Sequence, residues 1–167
     1  MCAGLALGAR VVEVALAELG PDAAPGDLIA AVETHTCSAD AVQVLTGCTL
    51  GNGKLFYLDY AKNAYSFWAP NRQGVRVVAL PDDGRPPEFW DGFARVQTGT
   101  ATEEELASFF IGQQRWSEGI LNAPAEQLFH VERLNEPPPT RPIITAPVRC
   151  ASCGEATLGP WASERDG

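Results

Sequence analysis

The sequence predicts an α+β protein in which helices pack on a mixed sheet. The 167 residues are 46% hydrophobic and 20% charged, which is enough apolar material for one packed core domain. Helical and strand-like periodicities alternate along residues 1–134, which we take as this core. A proline-rich linker over 135–147 then leads to residues 148–167, whose single Cys-x-x-Cys pair predicts an incomplete zinc-ribbon segment.

The first helix is predicted over residues 5–19, because apolar side chains recur there at helical spacing and Gly20-Pro21 ends the pattern. Gly4 and Gly8 leave a smooth strip on which another backbone can pack closely. A buried strand over 28–34 follows.

A short helix is predicted over 39–46, with Ser38 as its N-cap and Asp40 in its first turn. Three strands are then expected at 54–60, 64–68 and 75–80, before a loop over 81–87.

Thr102 and Glu105 form a capping-box pattern, which predicts a long helix reaching about Leu121. A last strand is expected at 127–133. The predicted core face of the long helix consists of Leu106, Phe109, Phe110 and Trp116.

Charge and hydropathy exclude several classes of function. The net charge of −9 lacks the basic footprint that phosphate backbones require, so nucleic-acid binding is not expected. The apolar runs are shorter than the roughly 20 residues that span a bilayer, and the N-terminus lacks the basic region of a signal peptide. We therefore expect a cytoplasmic protein without a membrane partner, in which five cysteines favour metal or thiol chemistry over disulfides.

The pair Cys150 and Cys153, followed by Gly154, has the spacing of one zinc knuckle. A structural zinc needs four ligands, and no cysteine or histidine follows Cys153. Three interpretations stay open: half of a zinc ribbon, a redox pair, or a remnant that binds nothing.

His35 and Cys37 lie where the predicted strand ends and a helix begins, a junction that directs side chains and free amides into one small volume. Both residue types bind first-row metals, and a helix N-terminus lowers the pKa of a cysteine. The alternative is that Cys37 is a small buried side chain and His35 a hydrogen-bonded turn residue. Cys48 alone is more typical of a packed core cysteine.

Three stretches of the chain resemble the FmdE family, which takes its name from formylmethanofuran dehydrogenase. Residues 2–8 are similar to the end of its HGHxCPGLALG opening, and residues 32–53 to its VETDxCxxDAxQxLTGCTxGxGN block. Residues 59–62 are similar to its DYGK motif, and the C-terminal Cys-x-x-Cys-Gly-Glu is typical of longer members.

The chain departs from the family pattern at several positions. Ala3, His35 and Ala61 replace a proline, an aspartate and a glycine. The resemblance implies that the two histidines of the opening stand upstream of Met1, which would then be an internal methionine. It also implies that a second Cys-x-x-Cys follows Gly167.

The resemblance implies an α+β core, a homodimer, and an association with molybdenum or tungsten formylmethanofuran dehydrogenase as an oxidoreductase partner. The expected function is a metal- and thiol-dependent enzyme or catalytic accessory. The alternative is a metal-sensing or protein-interaction module that uses the zinc ribbon.

The expected metal site combines Cys2, His35 and Cys37, with zinc favoured and iron as the alternative. Cys2 precedes the first helix and Cys37 lies at the N-terminus of the second, so both helix starts can meet at one end of the sheet, with the two sulfurs within about 4 Å.

Other residues have predicted roles around this metal. Cys37 and Cys48 are candidate catalytic thiols, with Cys48 lining the site. Lys62, a further catalytic candidate, would meet a small anionic substrate together with Tyr60. The residues expected to orient the ligands are Glu33, Asp40 and Gln43.

Overall fold

The computed structural model describes residues 2–81 and 89–163. The helices within these residues are α1 (Ala3–Leu19), α2 (Cys37–Thr46), α3 (Phe89–Gln97), α4 (Glu103–Asn122) and α5 (Ala125–Leu128). The strands within them are β1 (Ile29–Val32), β2 (Leu55–Tyr57), β3 (Ala64–Trp68), β4 (Gly74–Ala79), β5 (Phe129–Leu134), β6 (Pro147–Arg149) and β7 (Ala156–Leu158). The predicted α+β class is confirmed.

Five strands form a mixed sheet in the order β2-β1-β3-β4-β5. β1 and β2 run parallel, with Val32 opposite Tyr57, and the other neighbours are antiparallel. A parallel pair needs a crossover, and here α2 supplies it. The carboxyl ends of β1 and β2 therefore meet at one end of the sheet, beside the start of α2.

α1 is the central helix of the core. Val11 and Ala15 on this helix are fully buried, together with Leu28, Tyr65 and Phe67. Gly20 ends α1 as predicted, at a φ of 93°, and its amide bonds to the carbonyl of Leu16.

The glycine strip of α1 packs against α2 of the same chain. A methyl group added to Gly8 would lie 2.8 Å from the Ala41 Cβ and 2.9 Å from the Ser38 Cα. At Gly4 it would lie 3.2 Å from the Cys37 Cβ. Two small residues thus let α2 start directly beside the start of α1.

The capping box of α4 is confirmed: the amide of Glu105 bonds to the Thr102 hydroxyl, and the Thr102 amide bonds to the Glu105 carboxylate. The predicted core face is wrong for Leu106 and Phe110, which are 37% and 59% exposed. Only the C-terminal half of α4 reaches the core, where Ile120 is buried.

α3 was not predicted, because the aromatic residues over 89–93 carry no clear helical start signal. Phe89 on α3 packs against Phe109 and Trp116 of α4, with ring centroids 5.6 and 5.2 Å apart. The N-terminal half of α4 thus pairs with α3 instead of the sheet. The predicted loop over 81–87 lies outside the described residues except at Pro81.

The start of α2 also differs from the prediction. The helix begins at Cys37 and its N-cap is Thr36, whereas Ser38 lies inside it and is fully buried. The Ser38 hydroxyl bonds to Thr36 and Tyr65 instead of capping the helix.

Three hydrogen bonds among the described residues tie the linker over 135–147 to the core. The Gln73 amide donates to the Asn135 side-chain oxygen at 2.5 Å. The Trp68 indole donates to the carbonyl of Glu136 at 3.0 Å, and Arg141 donates to the carbonyl of Gly51 at 3.3 Å. β6 and β7 then form a separate two-stranded antiparallel sheet. Among the described residues, no helix has both the length and the hydropathy to cross a bilayer.

Candidate thiol and metal site

The candidate site lies at the carboxyl ends of the parallel strands β1 and β2. The Leu58 amide bonds to the Val32 carbonyl, and the Lys62 amide bonds to the Glu33 carbonyl. These bonds hold the segment after β2 beside the segment after β1. Ligands commonly bind at such strand ends in sheets with parallel strands.

Cys2 and Cys37 meet at this end of the sheet. Cys2 is the N-cap of α1 and Cys37 is the first residue of α2, and both side chains lie beside Gly4. Gly4 permits the contact, because a methyl group there would touch both side chains. The two cysteines were predicted to lie together, and the structure places them so.

The pKa of Cys37 is raised, firstly by the hydrogen bond with Cys2 and secondly by burial. The sequence predicts a lowered pKa at a helix N-terminus, and this expectation is wrong. The reason is that the neighbouring Cys2 thiol and burial both favour the protonated form of Cys37, and these effects outweigh the helix N-terminus.

A chain of hydroxyl groups supports the start of α2. The buried Tyr65 hydroxyl donates to Ser38 at 2.5 Å, and Ser38 bonds to Thr36 at 2.8 Å. Burial raises the pKa of Tyr65 to about 12, so it stays protonated and keeps donating. These bonds fix the residues on both sides of Cys37.

His35 is exposed and bonds to a neighbour on β2. Its Nδ1 lies 3.2 Å from the Tyr57 hydroxyl, which donates to Asp59 at 2.6 Å. The Asp59 carboxylate raises the pKa of Tyr57. Among the described residues, no three His, Cys, Asp or Glu side chains are grouped to hold a metal, so His35 is not gathered with the cysteine pair.

Cys48 is separated from the cysteine pair. Cys48 follows the C-terminal end of α2, whereas Cys37 begins this helix. The ten residues of α2 have a length of roughly 15 Å. The Cys48 side chain is fully buried and donates to the carbonyl of Leu28, and burial raises its pKa. The structure gives it the packing role of a core cysteine and does not place it in the lining of the site.

Glu33 does not orient the ligands as predicted. Its carboxylate is buried and forms a two-pronged ion pair with Arg76 on β4, at 2.8 and 3.1 Å. Asp40 is exposed in the first turn of α2, where its charge adds slightly to the raised pKa of Cys37. Gln43 lies six residues into α2, roughly 9 Å from its start.

Lys62 and Tyr60 are exposed at the same end of the sheet, and the Lys62 ammonium lies 5.9 Å from the Tyr60 ring centre. Ala61 between them has a φ of 53°, the left-handed region that favours glycine. This explains why the family motif has glycine there. The tight turn positions Lys62 beside the end of β1.

The second cysteine pair lies at the turn between β6 and β7. The amides of Ser152 and Cys153 point at the Cys150 sulfur and lower the pKa of its thiol. Gly154 has a φ of 78° and donates to the Cys150 carbonyl. Among the described residues, no third His, Cys, Asp or Glu side chain joins this pair in a group that could hold a metal.

The family model described as "FmdE, Molybdenum formylmethanofuran dehydrogenase operon" matches residues 1–130. The chain belongs to the FmdE family. The matched region contains strands β1 to β4 and the first two residues of β5, together with Cys2 and Cys37.

The chain is also similar to two other proteins. A tungsten formylmethanofuran dehydrogenase FmdE-like protein from Syntrophus aciditrophicus has a similar solved structure. The TM-score is 0.58 at 25% identity, covering 95% of this chain and 78% of that one. A probable S-adenosyl-L-methionine-binding protein from Archaeoglobus fulgidus is 35% identical over 170 residues. That match covers 95% of this chain and 46% of the relative, so the chain spans about half of its length.

Three side chains that contact predicted site residues or their neighbours were missed by sequence reasoning. Tyr57 and Asp59 contact His35 or its partner, and Gln113 on α4 accepts a bond from the Ala3 amide at 3.4 Å. The parallel pairing of β1 with β2 is the signal that would have found Tyr57. Gln113 carries no such signal, because it reaches α1 only through the tertiary packing of α4.

Proposed function

We propose that this FmdE-family protein is a metal- and thiol-dependent enzyme or catalytic accessory whose reactive centre is the Cys2–Cys37 pair. The observation that carries the proposal is the close approach of these two cysteines at two adjoining helix starts, where a methyl group on Gly4 would lie 3.6 Å from the Cys2 sulfur and 3.2 Å from the Cys37 Cβ. Zinc is the favoured metal, and iron is the alternative.

The chemistry of the pair fits a divalent cation. Two neighbouring thiolates repel each other, which contributes to the raised pKa of Cys37, and a bound cation would offset that repulsion. The positive dipole ends of α1 and α2 also stabilise negative charge on both sulfurs. A zinc held here by Cys2 and Cys37 would polarise a substrate oxygen or activate water.

Cobalt(II) titration tests the proposal, because thiolate ligands give charge-transfer absorption in the near ultraviolet. The parent protein carries Cys150→Ser and Cys153→Ser, which removes the second pair. We expect the band to appear in this parent and to be lost in Cys2→Ser and in Cys37→Ser. Cys48→Ser is the matched control and should keep the band, since its thiol is fully buried. A band that survives the loss of Cys2 and Cys37 contradicts the proposal.

The exposed surface around the pair suggests the substrate and the partner. Lys62 and Tyr60 at the same end of the sheet would receive a small anionic group. An oxidoreductase partner, as the names of the family and its Syntrophus relative suggest, would dock there.

We also propose that the protein is a homodimer, because apolar side chains on α3 and α4 are open to solvent. Trp90 is 56% exposed, Phe110 59% and Ile111 54%. Light scattering after size exclusion at micromolar protein should give twice the chain mass, and Phe110→Lys should give a monomer. A monomeric wild-type protein contradicts this assembly.

The turn at Cys150 supports a second candidate, a module in which the hairpin of β6 and β7 binds zinc and a partner. The specific observation in favour is the lowered pKa of the Cys150 thiol, because the thiolate is the form that binds zinc. Cobalt binding that is lost in Cys150→Ser and kept in Cys2→Ser would favour this module. The S-adenosylmethionine binding in the name of the Archaeoglobus relative is not carried over, since most of that protein lies outside the match.

A further inference from the structure

The first part of the linker runs across one end of the sheet. The Trp68 indole, at the end of β3, donates to the carbonyl of Glu136. Arg141 then donates to the carbonyl of Gly51, in the turn that precedes β2. The linker thus passes from the edge strand β5 towards the opposite edge strand β2, and we call residues 135–141 the strap.

A cavity of about 610 Å³ has walls from both the sheet and the strap. Its apolar lining includes Ile29 at the start of β1, Trp68, Leu134 at the end of β5, and Pro137 and Pro138 of the strap. Sites for small molecules commonly have volumes of roughly 300–1,000 Å³ and a mainly apolar lining with a few polar groups. The cavity therefore has the size and the lining of a site for a small ligand.

The indole of Trp68 is fixed in this wall. It lies over Gly74, where an added methyl group would be 2.5 Å from the indole Cδ1 and Nε1. Its Nε1 bonds to the strap at 3.0 Å, and the side chain is only 9% exposed. An aromatic wall that is already ordered loses little conformational entropy when a ligand packs against it.

The charged groups of the cavity are unbalanced towards negative charge. Arg72 lines the cavity, but its charge is paired with the Asp22 carboxylate. The carboxylates of Asp27 and Glu136 also line it, and neither has an ion-pair partner among the residues that the structure describes. The Lys54 ammonium is bound at 2.6 Å to the carbonyl that precedes Asp27 and does not line the cavity.

We propose that this cavity binds a small organic cation, an amine or a guanidine carried on a short apolar body. The carboxylates of Asp27 and Glu136 hold the charge, and the apolar body packs against Trp68 and the strap prolines. Indole rings attract cations as well, and the net charge of −9 draws cations towards the protein. An anion would instead be repelled by both carboxylates.

This site is independent of the metal and thiol function. The cavity lies at the start of β1, whereas Cys2 and Cys37 lie beyond the carboxyl end of that strand. Either site can therefore fail its test without consequence for the other.

A pair of probes that share their shape and differ in charge tests the proposal. Butylguanidinium is the cation and butylurea is its neutral counterpart. Each is titrated into nitrogen-15-labelled protein while the indole N–H signal of Trp68, assigned among the four tryptophans, is followed by NMR. We expect butylguanidinium to shift this signal to saturation. Butylurea should bind roughly 4- to 25-fold more weakly, because it loses two exposed ion pairs that contribute roughly 2- to 5-fold each.

Variants that change charge and keep shape assign the binding to the two carboxylates. Asp27→Asn and Glu136→Gln should each weaken butylguanidinium binding roughly 2- to 5-fold and leave butylurea binding unchanged. The double variant should bind both probes equally. Glu118→Gln on α4 is the matched control, because it removes one exposed charge that does not line the cavity, and it should keep the wild-type affinity.

Several results would overturn the proposal. One is a Trp68 signal that butylguanidinium does not shift, and another is equal affinity of the wild-type protein for the two probes. Unchanged affinity for the cation in Asp27→Asn and Glu136→Gln would also overturn it. So would an equal loss in Glu118→Gln, because the cation would then respond to the overall charge of the protein and not to this cavity.

Discussion

Replacing Gly8 by alanine tests the close crossing of α1 and α2, on which the cysteine pair depends. The new methyl carbon would lie 2.8 Å from the Ala41 Cβ and 2.9 Å from the Ser38 Cα. Ordinary carbon–carbon contacts are about 3.5–4.0 Å, so the two helices must separate by roughly 0.7 Å or more. Backbone atoms form part of this contact and cannot rotate away.

The expected cost is about 1–3 kcal/mol of unfolding free energy, the range for overpacked cores. The better helix propensity of alanine offsets about 1 kcal/mol of the steric cost and is included in this figure. Gly119→Ala on α4 is the matched control, because nothing lies within 4 Å of a methyl group there. The unfolding free energy of this control variant should rise by roughly 0.5–1 kcal/mol.

Urea unfolding of both variants gives the two free energies, and alkylation rates of the thiols report on the pair. Separation of the helices should weaken the Cys2–Cys37 hydrogen bond, so Cys37 should react faster at neutral pH as its pKa falls towards the ordinary value. If Gly8→Ala is as stable as Gly119→Ala, the packing argument is refuted.

Three further outcomes follow from the structure. Ala61→Gly should raise the unfolding free energy by about 0.5–1 kcal/mol by removing the left-handed strain at φ 53°, whereas Asn71→Gly, at φ 57°, should change little because asparagine tolerates this region. The raised pKa of Tyr65, about 12, means that the folded state keeps a proton that the unfolded chain loses from about pH 10. Urea unfolding should therefore show stability falling by about 2 kcal/mol between about pH 10 and pH 12, and Tyr65→Phe should flatten this dependence. Limited proteolysis should cut the exposed linker over 140–146 and leave a stable core, and a linker as resistant as the core would contradict the predicted boundary.

Local signals predicted most of the fold. The helical spacing in α1, the capping box of Thr102 and Glu105, and strand β3 at Ala64–Trp68 depend on neighbours in sequence, and all three are confirmed. The core face of α4 was not predictable in this way, because packing against α3 decides which side of the helix is covered.

In the candidate site too, some features follow from local sequence signals and others depend on tertiary packing. The adjacency of Cys2 and Cys37 followed from placing two helix starts at one end of a sheet. The position of Cys48 did not, because the length of α2 separates it from the pair. The link from His35 to Tyr57 depends on the register between β1 and β2, which only the three-dimensional pairing reveals.

The central claim is that Cys2 and Cys37 hold one metal ion. Anomalous diffraction at the zinc absorption edge, from crystals grown with zinc, tests it most directly. We expect a peak about 2.3 Å from both sulfurs, at the starts of α1 and α2. A zinc peak at Cys150 and Cys153 alone, with Cys2 and Cys37 metal-free in the same crystal, would contradict it.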